Sequence, residues 1–137
     1  MSLQAKRLEG KTAVITRGNH GIGYATAQVF VNHGAKVVIH HRTEPGETQR
    51  SCRETQGKDS AHMPGVLADV RSLEQLSALA ETTSKLFDGH LDVLFVNWGV
   101  VGMGFNIEKA DEAEFDFIID VNIKGLFFTI LKLARPS

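Results

Sequence analysis

A glycine cluster near the N-terminus constrains this chain of 137 residues more than any other feature. Residues 12–27, TAVITRGNHGIGYATA, begin as a short β-branched run and continue as a helix pattern, with Gly18, Gly21 and Gly23 between the two. This order predicts a strand, a tight turn and a helix. Such glycines let the backbone approach a pyrophosphate, whose charge is met by the free N–H groups of the helix. The expected ligand is a dinucleotide, although glycines also make ordinary strand-to-helix turns.

Composition narrows the function classes. The length fits a single domain over residues 1–137. A net charge of -1 lacks the basic excess typical of nucleic-acid or membrane-surface binding, so neither partner is expected. Cys52 is the only cysteine, which excludes an internal disulfide and favours a reducing, cytoplasmic location. No apolar run approaches the roughly 18–20 residues that span a bilayer.

Strand and helix patterns alternate along the chain. Strands are predicted at 12–16, 36–40, 62–67 and 91–96, and helices from the glycine cluster to about residue 33 and at 72–87, 111–120 and 122–134. Ser72 is the expected cap of the second helix. Residues 47–56 read as a weak polar helix or a loop. The predicted fold class is α/β, an incomplete, doubly wound parallel sheet of about four strands flanked by helices.

Apolar spacing groups residues on one face of each helix, and the apolar face of the fourth helix is expected to lose part of its covering where the chain ends. The predicted stripes are Ile22, Ala25, Val29 and Phe30 in the first helix, Leu73, Leu76, Ala80, Thr83 and Phe87 in the second, Phe115, Ile118 and Ile119 in the third, and Ile123, Leu126, Phe127, Ile130 and Leu131 in the fourth.

The order of motifs resembles the short-chain dehydrogenase/reductase family over essentially the whole chain from Lys11. The family's T-G-x-x-x-G-x-G turn corresponds to residues 16–23, its Asp-Val to residues 69–70, its N-N-A-G to residues 96–99 and its helix-opening V-N-x-x-G to residues 121–125. The resemblance implies a Rossmann-like fold and oxidoreductase activity. It also implies cofactor contacts from Arg17, Gly18, Asn19, His20, Gly21, Ile22, Gly23, Asp69, Val70, Asn97 and Gly99.

Two residues depart from the family pattern. Arg17 replaces the first glycine of the turn, so that either Gly18 absorbs the turn and the guanidinium helps to hold a phosphate, or affinity falls. We favour the weaker binding. Trp98 replaces a small alanine, and its indole either fills the nucleotide groove, which we favour, or packs outward as a lid.

Cofactor preference is read at the end of the second strand. His41 and Arg42 stand where NAD-preferring relatives carry an acid, and a base there suits the 2′-phosphate of NADP, so NADP is favoured over NAD. His20 occupies a turn position where some NADP-binding members carry another base. The His40-His41 pair is a poor metal site, because adjacent strand residues point to opposite faces.

Catalysis in this family uses a serine, a Tyr-x-x-x-Lys pair and an asparagine, of which only Asn122 is visible. Tyr24 is the sole tyrosine, and the residue four later is Gln28. The chain is therefore expected to be truncated before the catalytic segment, inactive alone, and able to act on a small alcohol or carbonyl only within a longer form. Such a truncation leaves the fourth strand at an unpaired edge.

Two other functions remain open from the residues alone. One is a module that binds NADP(H) without turnover. The other is an interaction protein, or a non-functional relic, that pairs with full-length relatives. In this family the Asn122 helix helps to form the usual subunit interface, so a homo-oligomer through that helix is a further expectation.

Overall fold

One parallel sheet organises the computed structural model, which describes residues 6–42, 63–102 and 107–134. The strands are β1 Thr12–Thr16, β2 Lys36–His41, β3 Gly65–Leu67 and β4 Val93–Phe95, in the spatial order β3-β2-β1-β4. The chain winds outward from β1 to β3 and then returns to the other side of β1. The winding direction therefore reverses between β1 and β4, and the predicted α/β sheet is confirmed.

The strand boundaries differ modestly from the predicted ones. β2 extends one residue further, to His41, while β3 and β4 are three residues each. β4 forms an edge of the described sheet, as expected. The weak helix predicted at 47–56 lies outside the described residues.

Helices cover both faces of the sheet. They are α1 Gly21–Asn32, α2 Leu73–Leu86, α3 Glu112–Ile119 and α4 Leu126–Leu133, with a 3-10 turn at Ile107–Lys109 and a π-helical segment at Asp120–Gly125. Ser72 caps α2 as predicted, because its side chain accepts a hydrogen bond from the Gln75 N–H.

Strand alternation produces two apolar layers. Val14 and Val38 face the layer formed with α2 and α4, which also contains Ala68, Val70, Leu76, Leu79, Phe87, Val121 and Leu133. Ala13, Ile15, Val37 and Ile39 face the opposite layer, formed with α1. Because both faces of β1 are covered, all five of its residues are buried.

The predicted apolar face of α1 is not its buried side. Ile22 and Val29 are 73% and 53% exposed, and Ala25 is also exposed, while Gly23 and Ala27 are buried. Small residues form the buried side because they let the helix backbone lie close to the sheet. In α2 the predicted Leu76, Thr83 and Phe87 are buried, but Leu73 is exposed and Leu79 takes the remaining core position.

The third and fourth predicted helices form one continuous helical run from Glu112 to Leu133. The V-N-x-x-G motif therefore lies in the middle of this run, within the π-helical segment, and does not open a helix. The wider turn lets Gly125 approach Val70, where an added Cβ would lie 2.9 Å from Val70 Cγ2. Large apolar side chains on the other side are exposed, and we call Phe115, Ile119, Ile123, Phe127 and Ile130 the outer stripe.

Asp92 ties the amino ends of β1 and β4 together. Its carboxylate accepts hydrogen bonds from the Thr12 N–H at 2.9 Å and from Lys11 Nζ at 2.9 Å. These donors, the Thr12 N–H first, hold the pKa of Asp92 well below its usual range. The tie fixes the two strands whose opposite ends flank the candidate site.

Candidate cofactor site

The glycine turn follows β1 directly, but Arg17 makes the sharp change of direction. Its φ of 52° lies in the left-handed region that favours glycine. Gly18 serves a different purpose, because an added Cβ would lie 2.6 Å from Ile39 Cγ2, and its N–H donates to the His40 carbonyl at 3.1 Å. The alternative in which Gly18 absorbs the turn is wrong, since that glycine instead lets the turn pack against β2.

The N-terminus of α1 is built to approach this turn closely. A Cβ on Gly23 would lie 2.3 Å from the Arg17 carbonyl oxygen and 2.8 Å from Asn97 Nδ2. Gly21 has a φ of 55°, and the N-cap residue His20 makes no side-chain cap. The first turn carries no acidic residue, so its N–H groups and positive dipole end suit an anion. The exposed Ile22 and His20 and the half-buried Asn19 border this point.

The segment after β4 lies beside the glycine turn. The Asn97 N–H donates to Thr16 Oγ1 at 2.7 Å, and Arg17 Nη1 donates to the Gly99 carbonyl at 2.7 Å. Asn122 holds Val100, the residue after Gly99, through two hydrogen bonds. Its Oδ1 accepts from the Val100 N–H at 2.9 Å, and its Nδ2 donates to the Val100 carbonyl at 2.8 Å. The amide of Asn122 thus positions the loop between β4 and α3.

Trp98 packs inward at the ends of β2 and β4. Its ring meets the His40 ring edge-on, with 4.6 Å between centroids, and it joins the apolar layer of α2 and α4. His40 is fully buried and its Nε2 lies 2.8 Å from the Ala68 carbonyl. Burial lowers the pKa of His40 to about 4. The outward lid is therefore wrong, and the indole fills space beside β2.

The ends of β2 and β3 carry the residues predicted to meet the adenosine. His41 is buried with its ring near Gly65, while Arg42 is half-buried. His40 and His41 point to opposite faces, as predicted. The described residues hold no cluster of three or more His, Cys, Asp or Glu placed to bind a metal.

Sequence reasoning missed the partner of Asp69. Arg71 Nη2 lies 2.6 Å from Asp69 Oδ2, and this guanidinium lowers the pKa of the carboxyl. The Arg71 guanidinium also lies 5.5 Å from the centroid of the Phe117 ring. The available signal was an arginine directly after the Asp-Val motif, two residues from Asp69. The Val70 side chain is buried against Gly125.

These residues fit a nicotinamide dinucleotide at the turn. Gly18 and Gly23 pack too closely against Ile39 and the Arg17 carbonyl to carry a Cβ, and this packing brings the uncapped α1 N-terminus, which suits the diphosphate, to the end of β1. The turn lies where the winding of the sheet reverses, which is the ligand position in open α/β sheets. Fold and site together define a Rossmann-like protein.

The chain belongs to the short chain dehydrogenase family, whose model matches residues 11–136. It is 36% identical over 134 residues to (+)-cis,cis-nepetalactol synthase NEPS3 of Nepeta racemosa, covering 97% of this chain and 48% of that protein. It is 36% identical over 137 residues to xanthoxin dehydrogenase of Arabidopsis thaliana, covering 98% and 47%. Family membership implies a nicotinamide dinucleotide cofactor.

A solved structure agrees with the fold. The crystal structure of a dehydrogenase/reductase from Sinorhizobium meliloti 1021 matches with a TM-score of 0.81 and 28% identity, covering 96% of this chain and 51% of that one. The chain therefore spans about half the length of the relatives it matches. Among its described residues, none of the helices has the length and apolar character needed to cross a membrane.

Proposed function

We propose that this chain is the cofactor-binding part of an NADP-dependent oxidoreductase that interconverts an alcohol and a carbonyl by hydride transfer. The observation that carries the proposal is the packing of Gly23 against the Arg17 carbonyl. This packing places the uncapped α1 N-terminus where the winding of the sheet reverses, between β1 and β4. When bound, the nicotinamide supplies or accepts the hydride. The chain's own residues bind the diphosphate, orient the adenosine and fix the loop after β4.

Arg42 supports NADP over NAD. It follows β2 directly and is less buried than His41, whose ring is packed near Gly65. A guanidinium suits a phosphate because it donates several charge-assisted hydrogen bonds from a planar fork. In this proposal Arg42 contacts the 2′-phosphate, while the buried His41 shapes the pocket beneath it.

Arg42→Met is expected to weaken NADP⁺ binding about tenfold, because a charge-assisted contact with the 2′-phosphate is lost. NAD⁺ lacks that phosphate, so its affinity should stay within about twofold of the wild-type value. Isothermal titration calorimetry with both nucleotides measures the two affinities. Equal losses for both would contradict the role of Arg42, and no binding of either nucleotide to the wild-type chain would overturn the proposed function.

Catalysis is proposed to require a longer form. Tyr24 lies in α1, and its hydroxyl accepts a hydrogen bond from Gln28 Nε2 at 3.1 Å, so this tyrosine lacks the lysine partner of the family. Asn122 uses its amide to hold Val100 and acts here as a positioning residue. The intact mass of the protein from its natural source tests this point. A mass well above 15.0 kDa, with Ser and Tyr-x-x-x-Lys in the added sequence, is expected.

A second function, self-association, is favoured by the outer stripe. Its five large apolar side chains follow helical spacing along one side of the continuous run, and Phe115, Ile123 and Phe127 are each more than half exposed. The family resemblance assigns this helix to a subunit interface. We propose that a second copy of this chain covers the stripe through the equivalent helix.

A cytoplasmic location is likewise a proposal, consistent with the single cysteine.

Phe127→Glu is expected to convert the dimer to a monomer, because it places a charge in the centre of the apolar contact. Sedimentation equilibrium at micromolar protein measures the change in mass. Leu73→Glu, at an exposed apolar position on α2, is the matched control and should leave the dimer intact. A wild-type monomer would contradict self-association and favour coverage of the stripe by another segment of a longer chain.

A further inference from the structure

Arg17 lies across the crevice at which a ligand is expected. The crevice is the gap between the carboxyl ends of β1 and β4, where the winding of the sheet reverses. Arg17 follows β1, and Gly99 lies just beyond β4. The 2.7 Å hydrogen bond from Arg17 Nη1 to the Gly99 carbonyl therefore spans the gap.

A second hydrogen bond joins the same two segments deeper in the protein, and we call it the floor of the gap. Thr16 is fully buried, and its Oγ1 accepts from the Asn97 N–H at 2.7 Å. Arg17 is exposed, so its bridge lies on the solvent side of this floor. The segment after β4 would keep its floor contact if the guanidinium moved away, and only the upper bridge would open.

Charge gives the guanidinium a better acceptor than Gly99. A neutral carbonyl is a weaker acceptor for a guanidinium than an anionic phosphate oxygen. The uncapped N-terminus of α1, where an anion is favoured, is adjacent, because an added Cβ on Gly23 would lie 2.3 Å from the Arg17 carbonyl oxygen. The backbone of Arg17 is thus adjacent to the anion-favouring end of α1, while its guanidinium contacts Gly99.

We propose that Arg17 is an exchangeable ligand of the cofactor diphosphate. Without a dinucleotide it bridges to Gly99 and closes the crevice, and on binding it transfers to the diphosphate and opens only this upper bridge. This inference rests on the proposed function, because it requires a dinucleotide in the crevice. It replaces the expectation from the sequence that Arg17 weakens binding, and it gives a reason for an arginine at a position whose backbone favours glycine.

Arg17→Met tests the proposal, since methionine removes the charge while keeping a long side chain and the left-handed backbone. We expect binding of NAD⁺ and NADP⁺ to weaken equally, by about tenfold, because both carry the diphosphate. Arg42→Met is the matched control, with a loss confined to NADP⁺. The difference between wild type and Arg17→Met should shrink as salt concentration rises.

Trp98, the only tryptophan, reports on the bridge without any ligand. In ligand-free Arg17→Met, acrylamide should quench its fluorescence more strongly than in the wild type, because the neighbouring Gly99 is no longer held. In the wild type, added NADP⁺ should raise quenching in the same way. Unchanged or tighter nucleotide binding by Arg17→Met, or unchanged quenching in its ligand-free form, would overturn the inference and leave the proposed function standing. Absence of nucleotide binding by the wild type would overturn both.

Discussion

Gly23→Ala is expected to lower the free energy of unfolding by about 2 kcal/mol and to weaken dinucleotide binding by more than about tenfold. The added Cβ would lie 2.3 Å from the Arg17 carbonyl oxygen and 2.8 Å from Asn97 Nδ2, so α1 has to move away from the turn. Alanine is otherwise the better helix former by about 1 kcal/mol, which makes the sign of the effect informative. Urea denaturation and isothermal titration calorimetry measure the two quantities.

Gly99→Ala is the matched control for stability. A Cβ at Gly99 meets nothing within 4 Å, and its φ is outside the left-handed region. Its free energy of unfolding should therefore stay within about 0.5 kcal/mol of the wild-type value. A Gly23→Ala protein as stable as the Gly99→Ala protein, with dinucleotide affinity retained, would show that the close contact between α1 and the turn is not required.

Acidification from pH 6.5 to pH 4 is expected to remove about 3 kcal/mol of stability through His40 alone. The pKa of His40 is lowered from 6.5 to about 4, first by burial and then by the neighbouring His41 charge, against the opposing effects of the Ala68 carbonyl and Asp69. Between these values the unfolded chain binds the proton and the folded chain does not. Stability therefore falls as the pH falls through this window. Urea denaturation at a series of pH values measures the slope.

His40→Gln is expected to flatten this pH dependence, because glutamine stays neutral and keeps an N–H donor for the Ala68 carbonyl. A residual slope of the same sign is expected from His41, whose pKa is also lowered by burial. The paired carboxylates Asp69 and Asp92 have lowered pKa values, so their contributions are lost at lower pH, below about 4. A His40→Gln protein with the wild-type slope would contradict the assignment.

Local sequence signals predicted the parts of the fold that depend on short stretches of chain. The β-branched run before Gly18 predicted β1, the Ser72 cap predicted the start of α2, and the glycine at 34 marked the end of α1. Helix faces were less predictable. Apolar spacing placed Ile22 and Val29 on one face of α1, but the small residues Gly23 and Ala27 form the buried side. Close approach of the helix backbone to the sheet outweighs the burial of larger side chains.

In the site, too, local motifs predicted individual residues but not their contacts. Asp69, Asn97 and Thr16 were recognisable from their motifs, whereas the pairing of Asp69 with Arg71 and of Asn97 with Thr16 was not predicted. The contact of Trp98 with His40 joins residues 58 positions apart, at the ends of strands separated by β1. No local pattern encodes such a contact, since it depends on the register and order of the strands.

By itself, the sequence determined the alternation of strands and helices, the glycine turn and the family, because each is written in spacing and residue type over short stretches. Only the tertiary structure decided that Arg17 adopts the left-handed turn, that its guanidinium reaches Gly99, and that Asn122 holds Val100 from a π-helical segment. The contact of Arg17 with Gly99 depends on parallel pairing of β1 with β4, which brings residues about 80 positions apart together at the carboxyl ends of the two strands. Proximity of that kind arises when the strands assemble.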